Sequence, residues 1–273
     1  MDLAKTYQVC VDALHKFVTD LGFTDVVIGL SGGMDSSLVA VMAVDALGAE
    51  HVHGVLLPGP YSSMHSVNDA QDLAVQLGIQ TEVISICEPF EAFEAALSGA
   101  CGGELTGLAA ENTQARCRMV CLMALSNTYG WLMLNTGNKS EAMMGYSTLY
   151  GDTAGAFAPL GGLYKTDIYK VARWRNDQAD MVPAKPIPEN VFEKAPSAEL
   201  SPGQEDEKSL GVDYPTLDAI LKLANEEAQS REAIVALGYD KSLVDRLLDT
   251  VQASAFKRVL EPPYPEVNIN EKC

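Results

Sequence analysis

The chain has 273 residues, 47% of them hydrophobic and 21% charged, which suits one substantial core in a water-soluble protein. A formal net charge of −18 repels nucleic-acid backbone and argues against a broad DNA- or RNA-binding surface; anionic ligands would need locally placed Lys, Arg or a metal ion. No apolar run approaches the ~18–20 residues of a membrane span. The amphipathic, acid-bearing start MDLAKTYQVCVDALHKFVTDLG lacks the features of a signal peptide, so a cytoplasmic location is expected.

The six cysteines (Cys10, Cys87, Cys101, Cys117, Cys121 and Cys273) include no C-x-x-C pair. Cys117 and Cys121 lie four apart in an apolar helical pattern, as small core residues do. His51, His53 and His65 show no metal-ligand spacing, so structural zinc is not expected.

In chain order, the periodicity predicts a helix over about 4–21, a buried strand over 26–30 and a helix over 36–47 ended by Gly48. HVHGVLLP is the next strand, stopped by Pro58; SVNDAQDLAVQLG is helical and QTEVISI is a third strand. EPFEAFEAAL is helical, SGACGGELTG is a Gly-rich link, and ENTQARCRMVCLMALSNTYG is a long helix. WLMLNT is a fourth strand, with a loop and the helical GNKSEAMMG after it. Strands alternating with helices predict an α/β fold: a doubly wound, mostly parallel, Rossmann-like sheet flanked by helices, with ligands at the carboxyl ends of the strands. Residues 177–211 are Pro-rich and weakly periodic, as in a long functional loop. Residues 212–273 read as helical to about residue 259. No repeat or second core is visible, so residues 1–273 are expected to form one domain whose α/β part is 1–176.

The stretch SGGMDSS follows the first strand and opens a helix. Gly32 and Gly33 let backbone N–H groups approach a ligand, the helix N-terminus is electropositive, and Ser31, Ser36 and Ser37 add hydroxyls. The combination suits phosphate. It is neither G-x-x-x-x-G-K-[ST] nor G-x-G-x-x-G. Asp35 within it would repel phosphate unless a divalent cation bridged the two, which argues for Mg²⁺; the alternative is an Asp that caps the helix after a glycine turn.

The loop SGGMDSS resembles the S-G-G-x-D-S loop of the ATP pyrophosphatase superfamily, whose members cut ATP between the α- and β-phosphates and transfer AMP to an acceptor. ENTQARCRM, NTGNKSEAMMGYSTLYGD, PLGGLYKTDIYKVARWRN, PSAELSPGQEDEKSLG and the late KR at Lys257–Arg258 are similar, in this order, to NAD synthetase, and the resemblance covers nearly the whole chain. It implies a C–N ligase that adenylates the carboxylate of nicotinic acid adenine dinucleotide (deamido-NAD) with ATP and displaces AMP with ammonia, giving NAD.

By matched position, the resemblance implies Asp35 and Glu141 as Mg²⁺ ligands. Lys165 would neutralise ATP phosphates, and Asp152 is a candidate for handling the ammonium proton. Leu30, Ser31, Gly32, Gly33, Ser36, Ser37, Leu57, Thr136 and Ser197 would complete the ATP site, with the 177–211 loop closing over it. Asn112, Arg116, Glu141, Tyr146, Leu149 and Lys257 would meet deamido-NAD, Tyr146 by stacking on the pyridine. Singly, each has a bland reading: Arg116 and Arg118 as helix surface charges, Lys165 as a solvated lysine, Glu141 as a helix-face carboxylate.

Short ammonia-dependent members often carry Lys before YGD and an Asp four residues after its Asp, where this chain has Leu149 and Ala156. In this region it resembles instead the synthetase domain of glutamine-dependent members, which place a glutaminase domain in front. With the loop already at Ser31, the expectation is ammonia from solution or from a separate glutaminase, and a homodimer with shared dinucleotide sites. The chain KRVLEPPYPE lacks the more basic continuation expected after KR. Competing readings are another ATP pyrophosphatase, such as a tRNA thiolase or GMP synthetase core, and a non-catalytic nucleotide sensor. Acidity and the lack of paired reactive cysteines weigh against thiolation; the set Asp35, Glu141 and Lys165 weighs against a sensor.

Overall fold

Four strands, β1 (Val26–Gly29), β2 (Val52–Leu56), β3 (Gln80–Val83) and β4 (Leu132–Met133), form a parallel sheet in the order β3-β2-β1-β4. Val26 lies opposite both Val52 and Leu132, and His53 lies opposite Gln80. These details come from a computed structural model that describes residues 1–267; Cys273 and the end of the expected C-terminal part lie outside the described residues. The sequence places successive apolar residues on both faces of each central strand, as a sheet covered on two sides requires. Val26, Ile28, Val52 and Leu56 join one buried cluster, and Val27, Val55, Leu57 and Met133 join another.

The first cluster packs beneath α1 (Leu3–Asp20), α2 (Met34–Leu47) and the later helix that carries Val171 and Ala172; α3 (Met64–Leu77) adds Ala70, Leu73 and Leu77. The second lies under α4 (Cys87–Cys101) and α5 (Leu108–Tyr129). The sequence marks α2 as beginning at residue 36, but it begins at Met34, so Asp35 sits in its first turn. The Gly-rich link is shorter than read, because α4 runs on to Cys101. β4 is two residues long where six were read as strand.

Beyond β4 come α6 (Lys139–Met144) and α7 (Lys165–Asp177). Residues 177–211 are not bare loop: they contain α8 (Glu189–Glu193) and α9 (Asp206–Leu210), and Ile187 and Val191 anchor them in the first cluster. Then follow α10 (Tyr214–Asn225), α11 (Arg231–Ala236), α12 (Lys241–Ala253) and α13 (Ala255–Arg258). Their residues Leu217, Ile220, Leu221, Ile234, Val244 and Leu247 build a third cluster, which the pattern alone did not show as a core. It also takes in Met144 and Tyr164, so the C-terminal helices grip the start of α7 and the end of α6.

A buried ion pair ties the helical layer together. Arg175 of α7, fully buried, donates from Nε and Nη2 to the two carboxylate oxygens of Asp45 on α2, at 2.7 and 3.1 Å. The Tyr7 hydroxyl of α1 donates to the same carboxylate. Removing one partner from such a pair strands the other charge and costs about 3–5 kcal/mol. Among the described residues, no helix is long and apolar enough to cross a membrane.

Candidate active site

A cavity of about 320 Å³ opens at the carboxyl ends of the strands, where a doubly wound sheet presents its loops. The turn from β1 to α2 forms one wall, with Leu30, Ser31, Gly33, Asp35 and Ser36 facing the cavity. Gly32 and Ser37 stand behind it. Gly32 has φ +76°, and a Cβ there would lie 2.1 Å from the Ser66 carbonyl oxygen, so only glycine fits. Ser37 is buried and its hydroxyl donates to the Gly33 carbonyl at 2.8 Å, which stabilises the turn. Ser31 Oγ accepts from the Gly33 N–H at 3.1 Å and lies 2.9 Å from Ser36 Oγ, which keeps the loop in one shape.

Asp35 does not cap α2: the N-cap is Gly33, and no side chain caps the helix. Its carboxylate instead accepts from Lys165 Nζ, with Asn138 Nδ2 3.5 Å from the other oxygen. Glu141 approaches the same ammonium, at 3.4 Å. Glu141 serves twice. One oxygen accepts from the Asn138 N–H in a reciprocal capping box that starts α6, and the other faces Lys165. Two carboxylates thus converge from separate elements on one buried cation.

Their electrostatics follow from burial. Burial pushes the Glu141 carboxyl well above its usual range; Lys165 opposes this, and Asp35 adds to it. Burial would lower the Lys165 ammonium, but Asp35 and Glu141 outweigh it and hold the group charged. Burial also raises Asp152 and Asp206, which line the same cavity. Asp35 and Glu141, the two carboxylates that meet at Lys165, suit a hard divalent cation that takes its remaining oxygens from phosphate and water. No cluster of three or more His, Cys, Asp or Glu able to hold a metal occurs among the described residues.

Asp218 of α10, 1% exposed, explains how Glu141 and Lys165 are held in place, and no local pattern marked it. It accepts from Ser140 Oγ at 2.5 Å and from the Thr166 N–H at 2.8 Å, and Ser140 Oγ accepts from the Lys165 N–H at 2.9 Å. One carboxylate therefore joins the residue before Glu141 to the first turn of α7.

Leu57, Thr136, Tyr146, Asp152 and Ser197 also line the cavity. Tyr146 donates to Asp206 at 3.3 Å, and Asp152 accepts from the Thr148 N–H at 2.5 Å. Asn112, Arg116, Leu149 and Lys257 are not part of the cavity wall. They gather around the turn after α6: Arg116 Nε donates to the Leu149 carbonyl at 3.2 Å, and Asn112 accepts from Thr148 Oγ1 at 2.7 Å. Lys257 Nζ donates to the Gly145 and Ser147 carbonyls at 2.7 and 2.6 Å. The arginine in the cavity wall is Arg118, to which the sequence reading gave no site role; its Nε donates to the Leu57 carbonyl at 3.0 Å.

Fold and site together define a nucleotide-handling α/β domain: a glycine-serine loop between β1 and α2, an acid pair and a buried lysine at the carboxyl ends of parallel strands. The family model for NAD synthase matches residues 6–261. The glutamine-dependent NAD(+) synthetase of Thermotoga maritima is 47% identical over 252 residues, covering 92% of this chain and 43% of that protein. Among solved structures, the NH3-dependent NAD synthetase of Campylobacter jejuni is 32% identical with a TM-score of 0.75, covering 94% of this chain and 96% of that one. The NMN synthetase of Francisella tularensis is 29% identical with a TM-score of 0.79 and the same coverages. This chain belongs to the NAD synthase family. It spans about half the length of the curated relatives it matches.

Proposed function

We propose that the chain catalyses the ATP- and Mg²⁺-dependent amidation of deamido-NAD to NAD, with ammonia as nitrogen donor. The convergence of Asp35 and Glu141 on Lys165 beside the SGGMDSS loop is the observation that carries this reading. A pyridine carboxylate oxygen attacks the α-phosphorus of ATP, the bond to the bridging oxygen breaks, and pyrophosphate leaves. Ammonia then attacks the activated carbonyl carbon, the carbon–oxygen bond to AMP breaks, and the nitrogen loses a proton. Mg²⁺, held by Asp35 and Glu141, would supply charge neutralisation at the phosphates.

Lys165 is placed to follow the charge that builds on the departing pyrophosphate. Asp152, its carboxyl raised by burial, is suited to take the ammonium proton. Ser197 brings a hydroxyl from the segment that crosses the cavity. Asn112, Arg116, Leu149 and Lys257 lie outside the cavity wall. That supports a dinucleotide whose reacting half enters the cavity while the rest runs over the turn after α6, toward a surface that a second subunit would complete. A homodimer and supply of ammonia by a separate glutaminase belong to the same proposal.

The likeness to an NMN synthetase favours a second acceptor, nicotinic acid mononucleotide. Purified chain given ATP, Mg²⁺ and deamido-NAD should form NAD with ammonium and not with glutamine alone. Product from glutamine would overturn the nitrogen assignment. Faster turnover of the mononucleotide would favour the second reading.

A further inference from the structure

Residues 194–200 cross the cavity between α3 and α5, and one side chain does most of the fastening. The Glu199 carboxylate accepts three hydrogen bonds at the N-terminus of α3: from the Ser63 N–H at 3.0 Å, Ser63 Oγ at 2.8 Å and Ser66 Oγ at 2.8 Å. Ser63 is also the N-cap of α3, its Oγ accepting from the Ser66 N–H at 3.1 Å, so one hydroxyl starts the helix and holds the crossing segment. A carboxylate is favoured there by the helix dipole, and bonds to a charged acceptor are the stronger kind. Glu199 has φ +49°, a backbone conformation that a residue with a Cβ keeps only where its surroundings enforce it.

The fastening reaches the nucleotide loop in two directions. The Glu199 backbone N–H donates to Ser197 Oγ at 3.1 Å, and that hydroxyl donates to the Gln204 carbonyl at 2.6 Å, so anchoring Glu199 to α3 also holds the backbone that sets Ser197 in the cavity wall. Ser66, which donates to Glu199, carries the carbonyl against which Gly32 is packed. On the far side, Gln114 Nε2 of α5 donates to the Leu200 carbonyl at 2.9 Å. Lys194 adds a further tie, its Nζ donating to Asp69 at 2.9 Å and to Ser66 Oγ at 3.3 Å.

We propose that Glu199 is a positioning residue for the nucleotide: through Ser63 and Ser66 it locks residues 194–200 and the SGGMDSS loop in register, so that Ser197 meets ATP. This rests on the reading of the cavity as an ATP site. It predicts a selective defect. In Glu199→Ala, ATP affinity measured by calorimetry should fall about tenfold, and amide exchange over residues 194–205 should quicken at least tenfold. KM for deamido-NAD should stay within about twofold, and the thermal unfolding transition should be retained. Glu199→Gln keeps one acceptor oxygen and should be intermediate. Ser66→Ala should weaken ATP binding in the wild-type background and add little in Glu199→Ala, because both changes break one connection.

Unchanged ATP affinity or unchanged exchange in Glu199→Ala would overturn the proposal, as would full additivity with Ser66→Ala. If Glu199→Ala does not fold, Ser66→Ala and Glu199→Gln carry the same comparison. Calorimetry and exchange need no turnover. Failure of the wild-type chain to amidate deamido-NAD would therefore count against the proposed reaction alone, and failure of the wild-type chain to bind ATP would count against the nucleotide site.

Discussion

Replacing Asp35 with Asn is expected to lower turnover by about 10³-fold or more while leaving the fold in place. Asp35 lies in the first turn of α2 and is not its cap, Asn fills the same volume, and Glu141 still faces Lys165, so the fold should be kept. What it supplies is a formal charge at the meeting point of Lys165 and Glu141. Removing a single preorganised group that stabilises developing charge typically costs about 10²–10³ in rate, and a ligand of a phosphate-bound cation should cost at least the upper figure, about 4 kcal/mol. Steady-state assays over a wide Mg²⁺ range, with circular dichroism as the check on folding, decide the matter. Residual activity should need more Mg²⁺; near-normal turnover at ordinary Mg²⁺ would remove Asp35 from the metal site.

Lys165→Met should depress the adenylation step by about 10²–10³-fold and leave deamido-NAD binding close to normal. Lys165 is 4% exposed and is held charged by two carboxylates, so the methionine stem can fill its volume without restoring the cation. Its backbone N–H still reaches Ser140, which keeps α7 attached to Asp218. Single-turnover formation of pyrophosphate measures the step directly. A rate within about threefold of wild type would mean that Lys165 serves the fold rather than the departing phosphates.

Much of this was legible in the chain because the signals are local. The buried strands are continuous apolar runs, and Gly32 and Gly33 mark the loop that feeds α2. What escaped depends on contacts between distant residues. Ser140 and Asp218 are 78 positions apart, and Ser63 and Glu199 are 136 apart, so no periodicity could pair them. Arg118 was missed for another reason. Residues 116 and 118 point to different sides of α5, and its buried positions (Gln114, Ala115, Cys117 and Leu122) draw no clean apolar stripe to say which side faces the cavity. Residues 177–211 read as loop because α8 and α9 are five residues each, too short for a helical period to show. The third cluster was hidden because it is completed by Met144 and Tyr164, far upstream of the helices that build it.

The most direct measurement is pyrophosphate release from ATP and Mg²⁺ by the purified chain, with deamido-NAD present or absent and with or without ammonium. The account predicts release only when deamido-NAD is present, and NAD only when ammonium is added as well. Release that ignores deamido-NAD, or no release with any combination, would contradict it.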